Sequence, residues 1–83
     1  MKFISLIFIS VLITSCGPLD LEKEYNKGLR LYKIEEYEKA IKSFDLIIEQ
    51  TDTFYDCFLY RGFSYRELNL TELASNDFSK YYE

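Results

Sequence analysis

The sequence predicts an all-α fold made of two antiparallel helix-turn-helix hairpins, a fragment of an α-solenoid, and two observations support this prediction. Apolar residues recur at helical spacing over about 20–33 and 36–50, and only a short link separates these segments. The pattern then returns thirty-four residues later, and a fixed period of this length is typical of stacked helical repeats. The pairs related by this interval are Gly28 and Gly62, Leu31 and Tyr65, Ala40 and Ala74, and Phe44 and Phe78.

The N-terminal residues 1–15 have the organisation of a signal peptide. Lys2 supplies a positive charge, and residues 3–13 form an apolar run interrupted only by two serines. This run has the length of a signal-peptide core and is shorter than the ~20 residues that a helix needs to cross a bilayer. We therefore expect residues 1–15 to be removed from the mature chain.

The residues at the end of the apolar run, Ile13-Thr14-Ser15-Cys16, resemble the bacterial lipobox. In that family the cysteine is acylated and the signal peptidase cleaves before it. The resemblance implies a lipidated Cys16, a tether over residues 16–20 and a place on a membrane of the bacterial cell envelope. Because residue 17 is glycine and not aspartate, the inner-membrane retention signal is absent, which favours the outer membrane in a Gram-negative organism. The alternatives are an uncleaved signal anchor, or a buried apolar helix with an incidental cysteine.

Residues 21–52 are predicted to form the first hairpin. Its second helix places apolar and charged residues on opposite faces, as expected for a helix that packs by one side. The link Ile34-Glu35-Glu36 is so short that the two helices must lie side by side and antiparallel. The apolar face of the second helix comprises Tyr37, Ala40, Ile41, Phe44, Ile47 and Ile48.

Residues 53–83 are predicted to form the second hairpin, which stops before its repeat unit is complete. Thr53 and Asp56 have the spacing of a capping box and predict a helix that starts there and runs to about residue 68. Asn69 and Glu72 have the same spacing and predict the start of the last helix.

In both copies the pattern resembles the tetratricopeptide repeat (TPR), a 34-residue helical hairpin. Its marks are a small residue in the first helix, and an alanine followed four residues later by an aromatic residue in the second. The residues that match are Gly28, Leu31, Tyr37, Ala40 and Phe44 in the first copy, and Phe58, Gly62, Tyr65, Ala74 and Phe78 in the second.

The two glycines are predicted to be the points where the helices of each hairpin come closest. On this interpretation, a leucine at Gly62 would overpack the contact and cost about 1–3 kcal/mol. The alternative is that Gly62 is merely tolerated, in which case an alanine would stabilise the helix through its higher propensity.

The resemblance also implies a binding surface, because in TPR proteins the first helices of the hairpins line a concave groove that holds a partner peptide. The residues at the groove positions are Glu22, Tyr25, Leu29 and Tyr32 in the first repeat, and Asp56, Leu59, Phe63 and Arg66 in the second. Tyrosine and arginine suit such a surface because they offer large amphipathic contact areas. The alternative is that several of these side chains, Leu29 and Leu59 above all, pack between the repeats.

Composition disfavours other classes of function. The chain carries 10 basic and 14 acidic side chains, and its net charge of −4 is unsuited to nucleic acid. It has no histidine and only two cysteines, so no ordinary zinc site is expected. Because the serines and Cys57 lack a histidine base, we predict neither an enzyme nor a cofactor.

The C-terminal end of the second hairpin is predicted to be uncovered, with Tyr81 and Tyr82 at its surface. Since stacked repeats usually need roughly three units for stability, we expect this end to dock on a second copy or on a partner protein. The expected function is that of a membrane-anchored TPR lipoprotein that binds a protein or peptide. The alternatives are a structural lipoprotein that associates only with itself, or a remnant of a longer TPR protein without a function of its own.

Overall fold

The computed structural model describes residues 18–83, and this part of the chain is helical and contains no strand. The four helices are α1 (Leu21–Lys33), α2 (Tyr37–Gln50), α3 (Tyr55–Glu67) and α4 (Thr71–Tyr82). The predicted all-α class is confirmed. Cys16 and the predicted signal peptide lie outside the described residues. Among the helices that are described, none is long and apolar enough to span a membrane.

The helices pack in the order in which they follow along the chain. α1 packs on α2, α2 on α3 and α3 on α4, and α1 also has a smaller contact with α3. The centre of the core is formed by Ala40, Phe44 and Ile47 of α2 together with Cys57 of α3. Because α2 and α3 both contribute to it, one core holds the two hairpins together.

The two hairpin turns have the same backbone conformation. Glu35 and Asn69, thirty-four residues apart, adopt left-handed φ angles of 65° and 63°. In each turn, a backbone N–H donates to a carbonyl oxygen in the last turn of the preceding helix. Glu36 donates to the carbonyl oxygen of Leu31 at 2.8 Å, and Leu70 donates to that of Tyr65 at 2.9 Å. This is the Schellman pattern of helix termination, and the 34-residue period therefore extends to the backbone.

The two predicted capping boxes are wrong. The residues that precede α3 and α4 are Phe54 and Leu70, and neither makes a side-chain capping bond. The N–H of Thr53 donates instead to Thr51 Oγ1 at 3.2 Å, which forms a local turn before α3. Asn69 ends α3 in the left-handed conformation and so does not take the extended backbone that a capping residue requires.

Each hairpin has a glycine pressed against a phenylalanine ring. A Cβ atom on Gly28 would lie 2.6 Å from Cε1 of Phe44, and one on Gly62 would lie 2.7 Å from Cε1 of Phe78. Both distances are too short for carbon atoms in van der Waals contact. The glycines are therefore points of close approach between the two helices of each hairpin, and the structure disfavours the alternative that Gly62 is merely tolerated.

Candidate functional site

The eight residues predicted to line a groove lie on α1 and α3, two helices that contact each other. They differ in how far they are available to a ligand. Those that are exposed to solvent are Glu22, Asp56 and Arg66. Those that are half-buried are Tyr25, Leu29, Tyr32, Leu59 and Phe63. We refer to these eight residues as the α1–α3 face.

Aromatic contacts join α1 to the second hairpin across this face. Tyr25 lies with its ring centroid 4.8 Å from that of Phe54 and 6.4 Å from that of Tyr60. Tyr32 lies 5.6 Å from Tyr60 and stacks on Phe63 at 6.3 Å. Aromatic pairs at these distances contribute about 0.5–1.5 kcal/mol each beyond the area they bury. Tyr25 and Tyr32 therefore hold the repeats together as well as contributing to the surface.

Leu29 behaves as the alternative interpretation proposed, because it packs against the core cluster of Ala40, Phe44, Ile47 and Cys57. Tyr25 and Tyr32 pack against the same cluster. All three are half-buried, as is Leu59, so part of each side chain remains at the surface of the α1–α3 face.

Charge is unevenly distributed along the α1–α3 face. Glu22 and Asp56 lie in the first turns of α1 and α3, and Asp56 lines a pocket of about 480 Å³ between Leu21 and the 51–55 segment. Arg66 lies in the last turn of α3, with its guanidinium carbon 5.1 Å from the centroid of the Phe63 ring. The face therefore has an acidic end, an aromatic middle and a basic end.

Arg61 makes three side-chain hydrogen bonds to carboxylates, and the sequence analysis did not single it out. The Nε and Nη2 atoms of Arg61 donate to the two carboxylate oxygens of Asp77 at 2.8 and 2.7 Å. Nη1 donates to Asp45 at 2.8 Å. These bonds tie α3 to α4 and to α2. The bond to Asp77 holds the pKa of the Arg61 guanidinium above its ordinary value.

The cluster of Arg61, Asp45 and Asp77 stabilises the packing of the helices. The side chain of Arg61 is 18% exposed and that of Asp77 is 6% exposed, whereas that of Asp45 is 40% exposed. The guanidinium carbon also lies 5.6 Å from the ring centroids of both Phe58 and Tyr65. Since Arg61 already has carboxylate partners on both sides and aromatic rings beside it, its charge is used within the fold and is not offered to a ligand.

Cys57 is buried in the core, as expected for a packing residue. Burial raises the pKa of its thiol to about 12, with a further contribution from the charge of Asp56. At neutral pH the thiol is therefore protonated, and a protonated thiol is a poor nucleophile and a poor metal ligand. Buried Ser64 is also engaged, because its hydroxyl donates to the carbonyl oxygen of Tyr60 at 2.9 Å.

Within residues 18–83, acidic and sulfur side chains do not come together in a group of three or more that could hold a metal ion. In comparisons with known proteins, no family model matches the chain, and neither a curated protein nor a solved structure does so.

Proposed function

We propose that this protein is a small lipoprotein of the bacterial envelope, anchored to a membrane through Cys16, whose helical domain is a TPR-type protein-interaction module. The lipobox-like residues 13–16 support the anchor, and the repeated construction of the two hairpins supports the interaction module. Both use a glycine–phenylalanine contact between their helices and a left-handed residue in their turn, each at a 34-residue interval. Such regularity is the basis on which stacked repeats present extended binding surfaces.

The α1–α3 face is the proposed docking surface for the partner. Its half-buried aromatic side chains offer rigid apolar contact area, which is typical of the central residues of interfaces. Its exposed charges would give orientation, because complementary charges select and align a partner. A partner segment with basic residues over Glu22 and Asp56 and an acidic residue near Arg66 would fit this surface.

The lipid anchor is tested by replacing Cys16. We expect Cys16→Ala to abolish incorporation of a labelled fatty acid and to leave an uncleaved or mislocated precursor, because the acylated thiol is lost. The matched control is Cys57→Ala, since this second cysteine is buried and its replacement should leave labelling intact. Labelling of Cys16→Ala at the level of the parent protein would contradict the anchor.

The docking surface is tested by charge reversal at the acidic end of the face. We expect the variant with both Glu22→Lys and Asp56→Lys to lose the partner that the full chain captures from native membranes after chemical crosslinking. The control carries Glu38→Lys and Glu49→Lys, which make the same charge change at exposed positions of α2. Equal capture by both double variants would show that the partner binds elsewhere on the protein.

A further inference from the structure

A groove of about 580 Å³ runs along α4, on the end of the molecule away from α1. It borders the α1–α3 face, and Arg66 belongs to both. Its two ends are oppositely charged, and its middle is lined by Ala74, Ser75, Phe78 and Ser79. In order along the groove, the residues that matter here are Arg66 and Thr71, then Ser75 and Ser79, then Tyr82 and Glu83.

The repeat shows what shape of ligand the groove would take. Thirty-four residues before Arg66, Phe78 and Tyr82 of the groove stand Tyr32, Phe44 and Ile48. In the first hairpin these three counterparts pack in the core that α3 completes through Cys57. The groove on α4 is thus the equivalent of a surface that a helix covers inside the protein, so a helix is the shape that would fill it.

The outer side of α1 is a poor match for this groove, which argues against head-to-tail stacking of copies. The residues of α3 that contact the first hairpin include Cys57, in the core with residues of α2, and Arg61, which bonds Asp45 of α2. Their counterparts in α1, thirty-four residues earlier, are Lys23 and Lys27, both exposed. Stacking α1 of one copy on α4 of another would bury two cations against apolar and hydroxyl groups, which is unfavourable without paired anions.

We propose that the groove is the interface of a two-fold symmetric dimer, in which α4 packs antiparallel to the α4 of a second copy. In that arrangement Arg66 of each copy meets Glu83 of the other, so the two ends of the groove are complementary to themselves. Such self-complementarity is what a two-fold interface requires. Lys80 lies 3.8 Å from Glu83, but an exposed pair of this length contributes little, and Glu83 stays available.

The middle of the groove and the end of α4 also suit this arrangement. Ser75 and Ser79 have small side chains, so two helices can approach closely along them. Tyr82 is 79% exposed and projects from the C-terminal end of α4. In the dimer its ring enters the other copy's groove beside Arg66, where an aromatic ring and a guanidinium attract each other.

The dimer is expected to be weak, because α4 has only 12 residues and is about 18 Å long. Two such helices bury less than the roughly 1,200 Å² that defines the lower end of standard interfaces. Association on the order of tens of micromolar is therefore expected, and attachment to a membrane would raise the effective concentration. The dimer requires neither the anchor nor a partner, so its failure would leave the proposed function untouched.

The test is a charge exchange, measured by sedimentation equilibrium of the full chain in density-matched detergent. Arg66→Glu alone and Glu83→Arg alone should each weaken dimerisation about tenfold, because each places like charges together twice. An equimolar mixture of the two variants should associate as well as the parent protein. In a dimer that contains one copy of each variant, positions 66 and 83 that meet across the interface again carry opposite charges. The matched controls are Arg30→Glu and Glu49→Arg, which change the same charges at exposed positions outside the groove.

Recovery in the mixture, together with unchanged association of the controls, would support the interface. A parent chain that stays monomeric at these concentrations would overturn the proposal. So would association that is indifferent to both single variants, because it would then arise from another surface, such as the N-terminal apolar segment.

Discussion

Replacing Arg61 by methionine should lower the free energy of unfolding by about 3–5 kcal/mol, the cost expected when a buried ion pair loses one partner. Asp77 would then keep a carboxylate that is 6% exposed and has lost both of its short hydrogen bonds. Because Arg61 also bonds Asp45 of α2, the substitution loosens α4 and the packing of α2 on α3 together. Urea denaturation of the full chain, followed by far-ultraviolet circular dichroism, measures this change.

Two further variants separate the charge from the packing. Asp45→Asn should cost less than about 1 kcal/mol, because Asp45 is 40% exposed and water replaces much of what the pair provides. Arg61→Met combined with Asp77→Leu should recover most of the lost stability, since an apolar pair of similar volume often replaces a buried ion pair without loss. If Arg61→Met lowers the free energy of unfolding no more than Asp45→Asn does, the hydrogen bonds of Arg61 do not hold the helices together as their geometry indicates.

Gly28→Ala should destabilise the protein, although alanine favours a helix over glycine by about 1 kcal/mol. The added Cβ would lie 2.6 Å from Cε1 and 2.8 Å from Cζ of Phe44. Phe44 is fully buried, so its ring has no space into which it can move. We expect a net loss of about 1–3 kcal/mol, as is usual for an overpacked core, and a larger loss for Gly28→Leu.

A double-mutant cycle with Phe44→Leu tests the cause. The shorter side chain leaves space for a methyl group, so Gly28→Ala should cost much less in that background, which is the coupling expected of residues in contact. Gly62→Ala should be milder, because Phe78 is half-buried and its ring can shift. Asn26→Ala, at an exposed position of α1, serves as the propensity control. Equal effects of Gly28→Ala in both backgrounds would contradict the contact.

The sequence was sufficient to predict the first two helices from their apolar periodicity, and the last two from the return of that pattern thirty-four residues later. The close approach of the helices at the two glycines could also be predicted, because glycine recurs there at the period of the repeat, whereas the phenylalanine rings that face them were found only in the structure. The starts of α3 and α4 could not. Asn69 has the residue type of a helix cap, but its backbone is used to terminate α3. A short sequence motif does not show whether a residue between two helices will end the first helix or start the second.

The Arg61 cluster was missed for a different reason. Each of its partners lies 16 residues away along the chain, on a different helix, and no helical or repeat spacing relates them. Asp45 lies on the charged face of the second helix, where the sequence pattern gives no sign of a partner, and it remains 40% exposed. Tyr60 was missed as a link between repeats because its counterpart thirty-four residues earlier is Asn26, so the period gave no signal at that position.

The order in which the helices pack has a consequence for how quickly the chain reaches its native state. Almost every contact joins helices that follow one another in sequence, and α4 is held by α3 alone among its neighbours in the described chain. Little loop-closure entropy is lost before native contacts form, and helical proteins of this kind fold in roughly microseconds to milliseconds. Either hairpin can nucleate and the other can add to it. The aromatic side chains that join the hairpins are therefore exposed only briefly during folding, which limits the time in which unfolded copies can aggregate.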